Sequence, residues 1–222
     1  MTLPPDWRAL NQANWDERVP IHVRAKEAYD LPALRAGTDR LDPIAAKVLG
    51  PAGGKRVLHP QCHFGMDSLL IARQGASVTG LDFSPPAIAT ARSLAAELGL
   101  ADRARFVEAN VYDALTAIPE PGGFDRVFVS WGALCWLPDM VAWARVVAAF
   151  LAPGGYLALA DRTRLSTSST APTRQRMGCQ AGMCRIWAGP RRWKTSRATT
   201  RTQRPGCATA GPGNGCIPSA TF

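Results

Sequence analysis

The segment KRVLHPQCHFGMDSLLIARQGASVTGLDFS, Lys55–Ser84, constrains the fold more than any other part of the chain. Val57 and Leu58 are apolar and β-prone, and Phe64 and Gly65 form a turn. Leu69, Leu70 and Ala72 give the next helix an apolar face, and Val78, Gly80 and Leu81 lead to Asp82. Strand, tight turn, helix, strand and strand-tip acid, in that order, make the first half of a doubly wound nucleotide-binding sheet. Gly65 permits close approach of a ligand to the backbone. Asp82 lies where such folds place the carboxylate that accepts from ribose hydroxyls. An ordinary βαβ unit with a solvated Asp82 is the alternative. Turn glycine and strand-tip acid at this separation favour the ligand.

The turn also narrows the ligand. A dinucleotide pyrophosphate lies against bare backbone at a helix N-terminus, which requires several glycines. Here the turn is HPQCHFG, His59–Gly65, with one glycine, and Pro60 has no N–H to donate. S-adenosylmethionine carries a ribose and an adenine but no phosphate, so it can use Asp82 without three glycines. A methyl donor is therefore expected over NAD.

Charge divides the chain. It holds 26 Lys and Arg against 17 Asp and Glu. Residues 162–222 contain 11 of the basic residues and no acid, leaving 15 basic and 17 acidic residues in 1–161, a net of −2. The basicity belongs to the tail, and the body carries no nucleic-acid signature. The body is the size of one domain. We read 1–50 as an N-terminal helical lid, 51–161 as a cofactor-binding sheet, and 162–222 as a basic, low-complexity, disordered tail. No bilayer-spanning run or secretory signal is read, so the cytoplasm is the expected location. Cys62 and Cys135 in the body and Cys179, Cys184, Cys207 and Cys216 in the tail fit no zinc spacing. All six are read as free thiols, and no metal is expected.

Alternation continues through the body. Helices are expected over 25–36 and near 43–49, broken by Gly50–Gly54. Ser84 caps a helix to Leu98, with Ile88, Ala91, Leu94 and Ala95 on its buried stripe and Gly99 at its end. Strands are expected at 105–108, 124–130 and 156–160, and a helix at 139–151. In such sheets the ligand lies beyond the carboxyl ends of the strands.

The segments VLHPQCHFGMDSL, VTGLDFSPPAIATAR, ARFVEANVYD, FDRVFVSWGALCWLPD and FLAPGGYLALAD together resemble the class I S-adenosylmethionine-dependent methyltransferases, in a bacterial small-molecule-type subgroup. The resemblance covers about residues 11–161 in the family's order. It implies a Rossmann-like, mostly parallel sheet and methyl transfer to a small acceptor. Carried over, His63, Phe64 and Gly65 fall in the methionine-binding turn, and Asp82 takes the ribose position. Phe83 lies near adenine, Asn110 and Val111 at the adenine edge, and Ser130 and Trp131 beside the reacting methyl. Trp15 and Arg18 are lid candidates, and His22 is either a lid contact or a surface residue. The turn departs from the family's acid followed by three glycines. No catalytic base is assigned, and Asp113 is read as a helix N-cap rather than a base. Catalysis is expected from holding the acceptor in line and excluding water.

After Asp161 the alternation stops, so the sheet is expected to lack the last two strands that the resemblance implies, leaving an open edge. Possible codons for Met177–Met183, read two bases later, encode Gly-Met-Pro-Gly-Trp-Tyr, and similar shifts recover acids elsewhere in the tail. We read the tail as an out-of-frame translation. A non-catalytic nucleotide- or RNA-binding protein with a natural basic tail stays open as the alternative.

Overall fold

The computed structural model describes residues 6–162 and 181–187. In chain order the elements are α1 Trp7–Arg24, α2 Leu31–Ala36, α3 Pro43–Leu49, β1 Arg56–Pro60, α4 Met66–Arg73, β2 Ser77–Asp82 and α5 Pro85–Glu97. They continue with β3 Ala104–Glu108, α6 Ala114–Ala117, β4 Phe124–Ser130, α7 Met140–Phe150, β5 Leu151–Arg162 and β6 Ala181–Trp187. The strands form one sheet in the order β3-β2-β1-β4-β5-β6. Pairings among β1 to β5 are parallel, and β6 is antiparallel to β5. Parallel strands need crossovers, and the helices supply them.

Each face of the sheet buries one apolar cluster. Residues of α3, α4 and α5 pack on one face against Val57, Val78 and Phe128. Residues of α6 and α7 pack on the other against Leu58, Val127 and Val129. The period-two alternation within β4 is what splits Phe128 from its neighbours. Capping sets the helix starts: Asp42 Oδ1 accepts from Ile44 N–H at 2.8 Å, and Asp139 Oδ1 accepts from Ala142 N–H at 2.8 Å.

The strand order reverses between β1 and β4. Their ladder is short, pairing Val57 with Arg126 and Leu58 with Val127. Pro60, at the tip of β1, has no N–H to offer there. The carboxyl tips of β1 and β4 therefore diverge, and a crevice opens at the switch point.

Two expectations are corrected. The helix expected over 25–36 begins at Leu31, because Pro32 is favoured in a first turn and Asp30 caps the start, accepting from Ala33 N–H at 3.0 Å. Within the segment 1–50 expected to be helical, residues Trp7–Arg24 form an 18-residue helix, α1, that includes Pro20. The absence of an apolar stripe hid its bounds: Val19 is its one buried residue. The sheet does not lack both further strands. The β-prone residues of AGMCRIW pair with β5 from Tyr156↔Trp187 to Arg162↔Ala181, so part of the tail closes the edge of β5. Average tail composition masked this local run. The disorder expected of 163–180 and 188–222 lies outside the described residues.

Phe106, on β3, shows how tightly the elements are fitted. Its ring lies where side chains at Gly65 and Gly80 would be: a Cβ at Gly80 would stand 2.6 Å from Phe106 Cδ1 and 2.9 Å from Cys62 Sγ. Gly80→Ala is expected to cost about 1–3 kcal/mol by overpacking, read by denaturant unfolding. Adding Phe106→Leu should recover part of the loss in a double-mutant cycle. Additive effects would contradict this packing.

Candidate functional site

A cavity of about 610 Å³ occupies the crevice at the carboxyl tips, within the range of small-molecule sites. His63, Phe64 and Gly65 line it from the β1 turn, Asp82 and Phe83 from the tip of β2, and Asn110 and Val111 from the end of β3. Ser130 and Trp131 line it from the end of β4, and Trp15 from α1. Arg18 and His22 do not line it.

The turn after β1 is shaped by left-handed backbone. Gln61 has φ 58°, His63 φ 52° and Gly65 φ 76°, and Trp131 across the crevice has φ 39°. Non-glycine residues in this region carry strain, which concentrates at functional sites. Gly65 is required by its φ and by Phe106, whose Cε1 would stand 2.5 Å from a Cβ there. The contact that would exclude a side chain at Gly65 is a core ring. Gln61 bridges the crevice, its Nε2 donating to Ala133 O at 2.8 Å.

Asp82 is 6% exposed. Its Oδ2 accepts from His63 N–H at 2.8 Å and its Oδ1 from Ser84 N–H at 3.0 Å. A carboxylate has lone pairs left for further donors. Burial pushes its pKa up to about 6, opposed by these backbone donors and reinforced by the charge of Asp16. Asn110 Oδ1 accepts from Tyr112 N–H at 3.1 Å. Asp113 stands at the N-cap of α6 but makes no side-chain capping bond. It pairs instead with Arg8 at 3.3 Å on the surface.

α1 is fastened across the cavity by polar contacts at helical spacing. Gln12 Nε2 donates to Phe83 O at 3.0 Å, and Ser84 Oγ donates to Asp16 Oδ1 at 2.5 Å. His22 Nδ1 meets His63 Nε2 at 3.0 Å, and His22 stacks on Tyr29 with ring centroids 5.1 Å apart. His22 thus joins α1 to the turn after β1. Trp15 packs edge-on to His63 and Trp136 at 5.3 and 5.4 Å, and the Arg18 guanidinium lies over both tryptophans. Burial lowers the pKa of His63 to about 3, with the charge of His22 adding to the effect. The two rings hold their contact uncharged at neutral pH.

Sequence reasoning missed several lining residues. Asp67, in the first turn of α4, accepts from Ser130 Oγ at 2.8 Å, and burial raises its pKa. Its acid three residues after Phe64 was readable only as a helix-start charge. His59 is buried, 2.8 Å from Ser68 Oγ through Nδ1, and burial lowers its pKa to about 3. Tyr29 and Trp136 come from loops with no periodic signal.

A doubly wound, mostly parallel sheet with a cavity at the switch point, lined by a buried acid at the tip of β2, defines a Rossmann-like fold. The methyltransferase domain family model matches residues 57–155, so this part of the chain is similar to a methyltransferase domain. The ubiquinone biosynthesis O-methyltransferase of Xanthomonas campestris pv. campestris is 38% identical over 127 residues, covering 56% of this chain and 49% of that protein. The 23S rRNA (uracil(1939)-C(5))-methyltransferase RlmD of Azoarcus sp. is 41% identical over 132 residues, covering 51% of this chain and 30% of that protein. The chain thus spans about half or less of the length of these relatives. The crystal structure of the [4+2]-cyclase SpnF aligns with a TM-score of 0.53 at 21% identity, covering 72% of this chain and 61% of that one. That likeness is one of fold. Among the described residues no helix is long and apolar enough to cross a membrane.

Trp15→Ala removes the aromatic centre of the contacts that hold α1. Amide exchange over residues 7–24 is expected to accelerate while β1, β2 and β4 keep their protection. Uniform acceleration across the sheet would show that Trp15 supports the whole fold instead.

Proposed function

We propose that the protein transfers a methyl group from S-adenosylmethionine to a small-molecule acceptor. The observation that carries this is Asp82: a buried, doubly anchored carboxylate at the tip of β2, lining a cavity large enough for a nucleoside. When bound, the cofactor supplies an electrophilic methyl on sulfur. The chain's own residues bind, orient and exclude water. In this reading Asp82 accepts from the ribose hydroxyls. Phe83, Asn110 and Val111 flank the adenine, while His63, Phe64 and Gly65 flank the methionine portion. Ser130 and Trp131 face the reacting end. Trp15, Arg18 and His22 keep α1 over the cavity.

The two relatives differ in acceptor, one named for ubiquinone biosynthesis and the other for rRNA. A body of net charge −2 and a tryptophan-lined cavity favour a small molecule over a polynucleotide. Cys62 and Cys135 are free thiols, in keeping with a cytoplasmic location. The out-of-frame reading of the tail is part of this proposal. Sequencing the coding DNA around the Asp161 codon tests it, and the lack of an open shifted frame would refute it.

Calorimetry with S-adenosylhomocysteine should show binding that Asp82→Ala weakens by about 1–3 kcal/mol, the scale of lost hydrogen bonds to a buried polar group. Tighter binding of NAD would overturn the reading. Ribose hydroxyls donate to the ionised carboxylate, whose pKa is about 6. Affinity should therefore be steady above that pH and fall as pH drops through it, while Asp82→Asn gives a weaker and flatter profile across the same window. A wild-type profile as flat as that of the variant would remove Asp82 from the ribose site.

A further inference from the structure

The C-terminal end of α1 meets the turn after β1 through two imidazoles. His22, in the last turn of α1, sets its Nδ1 3.0 Å from Nε2 of His63. Trp15 packs edge-on to both rings, at centroid distances of 6.2 and 5.3 Å, and Tyr29 stacks on His22. The other described side-chain bonds from α1 to the rest of the fold come from Arg8, Asn11, Gln12 and Asp16, all in its first ten residues. The far end therefore hangs on the histidine pair. What it holds in place matters, because α1 lines the cavity through Trp7, Asn11 and Trp15.

Two neutral imidazoles make this bond in one way: one nitrogen carries the proton and the other offers a lone pair. When both rings are protonated, every ring nitrogen is a donor. Two N–H groups and two positive charges then face each other, and the contact breaks. Among the described residues neither ring has a carboxylate partner. On α1, Arg18 adds positive charge beside His22. From the loop before α2, Tyr29 presents a phenol whose pKa is raised by burial and by Asp67 of α4. At the tip of β2, Asp82 is occupied by the backbone N–H groups of His63 and Ser84. Burial, then Arg18, lowers the pKa of His22, and burial takes that of His63 to about 3. With α1 lifted, both rings meet water and return toward the ordinary value of about 6.5. Groups whose pKa is depressed in the closed form hold it shut above the ordinary value and release it as pH falls below.

We propose that His22 and His63 form a proton-released latch: neutral, they hold the C-terminal end of α1 to the turn after β1, and on protonation they free it and open the cavity. The latch governs access to the cavity and does not depend on which methyl donor or acceptor binds there.

The experiment follows amide exchange of the ligand-free, full-length protein, expressed as protection factors so that the intrinsic pH dependence of exchange divides out. Between about pH 7 and pH 5, protection over residues 17–24 is expected to fall about tenfold or more, the linkage of one ring that is neutral when closed and ordinary when open. Strands β1, β2 and β4 should stay protected. His22→Gln combined with His63→Asn keeps two hydrogen-bonding side chains that do not titrate, and Asn accepts a left-handed φ at position 63. In that double variant protection of α1 should not depend on pH across the same window. Asp82, whose pKa is about 6, remains in the variant. An undiminished fall there would assign the effect to Asp82 and overturn the latch, as would a wild-type α1 whose protection does not change. If the double variant leaves α1 unprotected at every pH, proton NMR of the wild-type protein decides, since its histidines are His22, His59 and His63 alone. The His63 ring should titrate only where α1 loses protection, while His59, buried against Ser68, stays silent. A His63 ring that titrates near its ordinary value under a protected α1 would overturn the latch.

Discussion

The buried carboxylate of Asp82 ties together the pieces on which the site depends. Its two oxygens accept from the β1 turn at His63 and from the cap of α5 at Ser84. Ser84 in turn starts α5, its Oγ accepting from Ala87 N–H at 3.4 Å, and donates to Asp16 on the lid. One acid thus fixes the turn, a helix and the lid. Burial has a cost. The folded pKa of Asp82, about 6, lies above the ordinary 3.8, so the ionised form costs about 3 kcal/mol near neutral pH, at about 1.4 kcal/mol per unit. That cost is absent below the unfolded value, builds as pH rises from there to the folded one, and is constant above it. Hydroxyl donors from a bound ribose would offset it, which makes ligand binding and stability two readings of the same charge.

The sheet explains why this acid faces a cavity at all. β1 pairs with β4 for two residues and then parts from it, because Pro60 has no N–H and the crossovers run to opposite faces. The opening is filled by backbone in left-handed conformations and covered by α1. This helix is polar, has one buried residue, Val19, and is held by Gln12, Asp16 and His22 together with Trp15. An element fastened by a few bonds over a cavity can release more readily than one packed into the core.

What the sequence made legible follows from the range of each signal. Local patterns with strong physical causes, such as Ser84 before Pro85, the β4 alternation and the Lys55–Ser84 unit, could be read directly, and the structure places those elements there. The bounds of α1 within the helical N-terminal segment could not be read because its contacts are polar and distant in sequence. The strand Ala181–Trp187 was missed because a short β-prone run was judged by the composition of the tail around it. Asp67, His59 and Gln61 acquire meaning only from burial and from neighbours across the crevice. The reason for Gly65 was half visible: its turn was read, but Phe106, 41 positions later, was not.

The most direct test of the account is a crystal structure of the protein with S-adenosylhomocysteine. The account predicts the ribose hydroxyls within hydrogen-bonding distance of Asp82, the adenine beside Phe83 and Val111, and α1 closed through Trp15. A ligand seated elsewhere, or one bound in this cavity with Asp82 making no contact to the ribose, would contradict it.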